Sequence, residues 1–134
     1  MKADIDLCRQ LGAAGVVSGV LLPTGCVVAE RTAQLMAAAA STGSSDHPTL
    51  QFTFHRAFDL TPDLLAALHT LIDMGVKRVL TSGGRNDAIA GQETIQVSKA
   101  ARRNTAGGSR CCGVVCSAAV LLCLFVERSE FIDA

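Results

Sequence analysis

Strand-like and helix-like segments alternate along residues 1–96 at a spacing of roughly 30 residues, which is the signature of βα units feeding a parallel sheet. A helix-like stretch at the start ends at Gly12. The run from Gly15 to Leu22 is β-like and stops at Pro23. Val27 to Ala40 is helical by propensity, with Val28, Leu35, Met36 and Ala39 near one face. Ser41 to Pro48 is a loop of turn formers, and Leu50 to His55 alternates with period two, as a strand does. Thr61 is placed to cap the next helix, with Pro62 in its first position. Leu64, Leu65, Leu68, Leu71 and Ile72 form its apolar stripe, and Gly75 is its expected stop. Lys77 to Thr81 makes a short strand, Ser82-Gly83-Gly84 a tight loop, and a helix from about Asp87 carries Ile89 and Ile95. The expected fold class is α/β, with about three βα units and parallel strands near 15–22, 50–56 and 78–82.

The pattern breaks after Gln96, which divides the chain into a regular part, 1–96, and a divergent Cys-rich apolar tail, 97–134. The stretch from Cys111 to Val126 holds no charge, yet it falls short of the roughly 20 apolar residues of a membrane-spanning helix. A buried or aggregation-prone segment is the expectation, and Val114 to Val126 could add a surrogate strand or helix over the exposed face of the sheet. Lys+Arg and Asp+Glu both number 12, so no basic field attracts nucleic acid. Aromatic residues are 4%, with no Trp or Tyr, which removes a base-stacking platform. Met1-Lys2-Ala3-Asp4 opens the chain without an apolar leader, so a cytoplasmic protein with reduced thiols is expected.

The densest polar constellation is His55-Arg56-Ala57-Phe58-Asp59, at the end of a strand. In parallel α/β sheets that edge is where ligands bind. His55 suits acid–base work, Arg56 a carboxylate or phosphate clamp, and Asp59 the orienting of either. An Arg56–Asp59 structural ion pair is the plainer alternative. Thr81, Ser82, Gly83 and Gly84 follow the next strand, where their backbone N–H groups could hold an anion or simply turn the chain. The tail cysteines Cys111, Cys112, Cys116 and Cys123 lack zinc-site spacing. Soft thiolates at Cys8, Cys26, Cys111, Cys112 or Cys116 would suit Cu(I), against the reading of Cys as a small apolar residue. His47 and His69 have no partner at ligand spacing.

The segment TFHRAFD (Thr53 to Asp59), followed by a helix and by RVLTSGG (Arg78 to Gly84), resembles the CutC copper homeostasis family. Met1 to Leu21 and Ala88 to Ile95 are similar to the flanking segments of that family, in order. The resemblance implies a (β/α)8 TIM barrel, of which this chain holds a middle part, and a cytosolic protein of copper tolerance that binds Cu(I). It places His55, Arg56, Asp59, Thr81, Ser82 and Gly83 at the barrel mouth. Leu22, Thr24 and Val28 depart from the polar or acidic residues common there. The family's first three strands, and its Pro-Gly-Gly-Gly loop after the seventh, have no counterpart in this reading.

Three functions are therefore expected to compete. One is copper homeostasis with a bound copper ion, impaired if the chain is truncated. Another is a lyase- or isomerase-like barrel enzyme that takes a small anion, with His55 as acid–base and Arg56 as clamp. The last is an inactive gene fragment. Unpaired sheet edges would favour a homo-oligomer.

Overall fold

The computed structural model describes residues 1–41, 49–103 and 113–116. Helices α1 (Lys2–Gln10), α2 (Ala29–Ala40), α3 (Leu64–Asp73) and α4 (Gln92–Arg103) alternate with strands β1 (Gly15–Ser18), β2 (Gln51–Phe54), β3 (Arg78–Thr81) and β4 (Gly113–Cys116). A short 3₁₀ turn, Arg56–Leu60, follows β2. The four strands form one sheet in the order β1-β2-β3-β4, and every pairing is parallel. Among the described residues no helix is long and apolar enough to cross a membrane.

The core occupies one face of the sheet. Val16, Phe52, Phe54 and Val79 pack there with Leu35, Phe58, Leu68 and Leu71. Because strand side chains alternate, Val17, Thr53 and Leu80 stand on the opposite face. The register is staggered: Gln51 and Phe52 pair only with β1, whereas Thr53 and Phe54 pair with both β1 and β3. Arg9 is buried in the α1–α2 contact. Its Nη1 donates to Asp6 at 2.6 Å and its Nη2 donates to the Ala38 carbonyl near the end of α2.

Several boundaries differ from the sequence expectation, each for a local reason. The first strand ends at Ser18 instead of Leu22. Val20 and Leu21 leave the sheet and fold back on the next segment: Val28 N donates to Val20 O, Leu22 N to Cys26 O, and Leu21 bridges Val27 in antiparallel sense. The cap of α3 is Asp63, not Thr61; its Oδ1 accepts from Leu65 N (2.9 Å) and Ala66 N (3.0 Å). Thr61 instead donates to Phe58 O and closes the 3₁₀ turn. Helix α4 begins at Gln92, because the Asp87 carboxylate accepts from Ile89 N and Ala90 N and holds residues 87–91 in a turn. Ile89 consequently lies in water, 86% exposed, while Ile95 is buried.

The three expected parallel strands are all present, and the tail adds one more. Helix α4 continues unbroken through position 96 to Arg103, and residues 113–116 supply a fourth parallel strand in register with β3, Arg78 opposite Gly113 through Thr81 opposite Cys116. The remainder of the apolar run to Val126 lies outside the described residues.

Candidate functional site

The carboxyl ends of β2 and β3 are adjacent, so the segments that follow them meet at one edge of the sheet. Five donors converge there on the Asp59 carboxylate, which is only 8% exposed. Oδ1 accepts from Thr81 Oγ1 and from Gly84 N at 2.9 Å. Oδ2 accepts from Ser82 N at 2.9 Å and from Arg56 Nε at 3.2 Å, and it lies 3.0 Å from Ser82 Oγ. The Ser82 hydroxyl is also within reach of the Arg85 carbonyl; it has one proton and donates to one of the two at a time. Burial pushes the Asp59 carboxyl upward, but the hydrogen bonds from Thr81, Ser82 N, Gly84 N and the Ser82 hydroxyl outweigh it and hold the group below its ordinary value.

Arg56 is fixed from two sides. Besides its bond to Asp59, its Nη2 donates to Ser82 Oγ at 2.6 Å. The side chain remains 43% exposed, so a guanidinium with a set orientation faces water beside the sheet edge. Gly83 N donates to Thr81 Oγ1 at 2.8 Å. Gly83 has φ +72, and a Cβ there would sit 2.5 Å from the Gly91 carbonyl, so no other residue keeps this turn.

His55 is turned toward β1. Its ring is buried, its Nδ1 accepts from Ala57 N at 3.2 Å, and its backbone N–H donates to Ser18 O at 3.3 Å. In the neutral ring that acceptor role puts the proton on Nε2. Gly19 makes room for it: a Cβ at Gly19 would lie 3.0 Å from His55 Nδ1 and 2.7 Å from the Phe54 ring.

The structure thus brings Arg56, Asp59, Thr81, Ser82 and Gly84 into one hydrogen-bonded cluster, with Gly83 shaping its loop and His55 beside it. The backbone N–H groups of Ser82 and Gly84, candidates for an external anion, are occupied by Asp59 itself. Sequence reading missed Gly19, Gly91 and the Arg85 carbonyl. The glycines were visible as small residues next to strand and helix ends; a carbonyl acceptor leaves no mark in a sequence.

Among the described residues the cysteines stand on separate elements. Cys8 is half-buried on α1, Cys26 is exposed in the loop after β1, and both are free. Cys116 ends β4, at the register position opposite Thr81. Cys111, Cys112 and Cys123, like His47, lie outside the described residues, and His69 is exposed on α3. Among the described residues, no three His, Cys, Asp or Glu side chains group closely enough to hold a metal ion.

The family model described as CutC family matches residues 1–110, beyond the change of character at Gln96. A family protein CutC of Xylella fastidiosa strain Temecula1 is 44% identical over 105 residues, 77% of this chain and 36% of its own length. Another, of Rhizobium meliloti, is 40% identical over 96 residues, 72% of this chain and 36% of its own length. One from Salmonella schwarzengrund is 45% identical over 95 residues, 71% of this chain and 35% of its own length. The chain spans about a third of the length of the curated relatives it matches. With the family model covering most of its residues, the chain belongs to the CutC family.

Proposed function

We propose that the chain acts in cytosolic copper homeostasis as part of a (β/α)8 barrel, with Cu(I) on cysteine thiolates and a small anion at Arg56 on the barrel mouth. Family membership supports the copper role. Four parallel strands in chain order and a staggered register support the barrel, because closure requires tilted strands joined in succession.

The separation of copper from the polar cluster rests on donor chemistry. Guanidinium, carboxylate and hydroxyl groups are hard or carry protons, whereas Cu(I) takes thiolate or thioether. The single observation that carries the anion reading is Arg56. Asp59 and Ser82, with the Arg85 carbonyl, hold Nε and Nη2 of its guanidinium in place while 43% of the side chain meets solvent, so an arriving carboxylate or phosphate meets Nη1 as a preset charged donor.

Cu(I) titration of the reduced chain tests the first half. His55→Ala should leave the stoichiometry unchanged, and Cys→Ser changes at Cys8, Cys26, Cys111, Cys112 or Cys116 should lower it. Loss of copper on the His55 change alone would sink the separation. Phosphate should raise the melting temperature of the chain, and Arg56→Gln should abolish that rise.

A lyase- or isomerase-like activity on a small anion is the second reading. It is favoured by His55, whose buried ring has a fixed tautomer one residue from the Arg56 clamp. Turnover of small carboxylates or phosphates that vanishes in His55→Gln would establish it.

A further inference from the structure

We propose that Arg85 supplies a second cation to the Arg56 anion site, so that the site takes a phosphomonoester dianion in preference to a monocarboxylate. This rests on the anion reading above. The first observation is how the charged groups of the segments after β2 and β3 are used. Asp59 accepts from the backbone N–H groups of Ser82 and Gly84. Asp87, on the same loop as Arg85, accepts from Ile89 N at 2.9 Å and from Ala90 N at 2.8 Å. Both acids therefore have backbone donors of their own. The arginines keep donors unused. Arg56 bonds through Nε and Nη2, and among the described residues its Nη1 has no partner. Arg85 is exposed, and among the described residues its guanidinium has no hydrogen bond or ion pair.

The second observation is proximity. The Arg85 carbonyl accepts from Arg56 Nη2 at 3.5 Å and lies within reach of the Ser82 hydroxyl. Standard bond lengths then put Arg85 Cα at most about 6 Å from Arg56 Nη2. The backbone that leads to it is already set. Gly83 and Gly84 take φ of +72 and +70, and their N–H groups donate to Thr81 Oγ1 and Asp59 Oδ1. Arg85 is thus rooted beside the Arg56 guanidinium on a fixed loop, and only its own side chain has to move. The two guanidiniums repel each other until an anion lies between them.

The ligand class follows from this supply of donors. A monocarboxylate brings one charge and two oxygens, which Arg56 Nη1 serves by itself. A phosphomonoester brings close to two charges and three strong acceptor oxygens. Asp59 lies against Arg56 and offsets much of its charge, so a dianion needs another cation at the same place. The planar fork of Arg85 answers the second charge and the third oxygen.

Titration calorimetry of the 134-residue chain with inorganic phosphate and with acetate tests this, at equal ionic strength and at about pH 8, where phosphate carries two charges. Phosphate should bind the parent chain more tightly than acetate does. Arg85→Gln should weaken phosphate about tenfold, the worth of one charge-assisted hydrogen bond, and leave acetate unchanged. Arg85 is exposed and its side chain bonds to no other described residue, so the variant keeps the fold. Equal phosphate affinity in the parent and in Arg85→Gln overturns the proposal and leaves the Arg56 site standing. Acetate that binds the parent as tightly as phosphate does the same. Acetate and phosphate lost together in Arg85→Gln would make Arg85 a support of the loop and also overturn it. Failure of both anions to bind the parent removes the Arg56 reading itself, and this proposal with it.

Discussion

The loop after β1 and the segments after β2 and β3 lie at the same edge of one sheet, yet they are closed by opposite means. After β1 the chain folds back on itself, and Val20 and Leu21 are buried to 4% exposure each. Its hydrogen bonds are local, Leu22 N to Cys26 O and Val28 N to Val20 O. After β2 and β3 the closure is polar and long-range, through one carboxylate bonded to residues 22 to 25 positions away. An apolar closure needs only bulk and tolerates change of shape. A polar closure needs a specific acceptor and fails when that acceptor is lost. The specific hydrogen bonding at this edge therefore belongs to the segments after β2 and β3, and the β1 loop packs as a wall.

Removing the wall should cost most. Leu21→Ala takes a fully packed side chain out of the core and should destabilise the chain by about 3 kcal/mol in urea unfolding. A loss below about 1 kcal/mol would mean that the β1 loop is not closed by packing.

Asp59→Ala comes next, at about 2 kcal/mol. It strands the N–H groups of Ser82 and Gly84, although water can reach the rim at Arg56 and repay part of that loss. This variant should also lose the phosphate response, because Arg56 loses one of its two anchors.

The two closures should separate further by pH. The native Asp59 carboxyl sits below its ordinary value, so its stabilisation is complete above the unfolded value, about 3.9, and is lost as pH falls through the native one. The urea midpoint should therefore begin to drop only as pH falls below about 4 in the parent chain, and drop less in Asp59→Asn. Leu21→Ala should follow the parent slope, since Leu21 carries no proton.

Ser82→Ala is the mildest test, at about 1 kcal/mol, because Asp59 keeps its other donors. Its sharper readout is Arg56: without the 2.6 Å acceptor the guanidinium should lose order and the phosphate response should weaken.

Much of this was legible in the residues. The stripe Leu64–Leu68–Leu71 fixes α3 because its period matches a helix and nothing else. The pairing of His55-Arg56-Asp59 with Thr81-Ser82 follows from two strand ends lying side by side. What escaped the sequence was choice among equals. Thr61, Pro62 and Asp63 all suit a helix start, and only geometry shows that Asp63 caps the helix while Thr61 closes the turn before it. Val20 to Leu22 have strand propensity, but the chain leaves the sheet at Gly19, where the Phe54 and His55 rings take up the space. The tail run suggests an added strand or helix, but the choice of a strand and its place at Gly113–Cys116 do not show in it, since four residues of Gly-Val-Val-Cys carry too little pattern to stand out.

The long reach of Asp59 also imposes an order on synthesis. Each strand pairs with the one made just before it, so a growing chain can lay down its sheet as it emerges. Asp59 leaves the ribosome before Thr81, Ser82 and Gly84, the groups that satisfy it. In a nascent chain that ends before Thr81, the Asp59 carboxylate lacks these donors, so the turn after β2 is expected to stay hydrated and open until β3 has been made. Stalled nascent chains ending before Thr81 should be cut by trypsin at Arg56, and those extending well past Gly84 should resist.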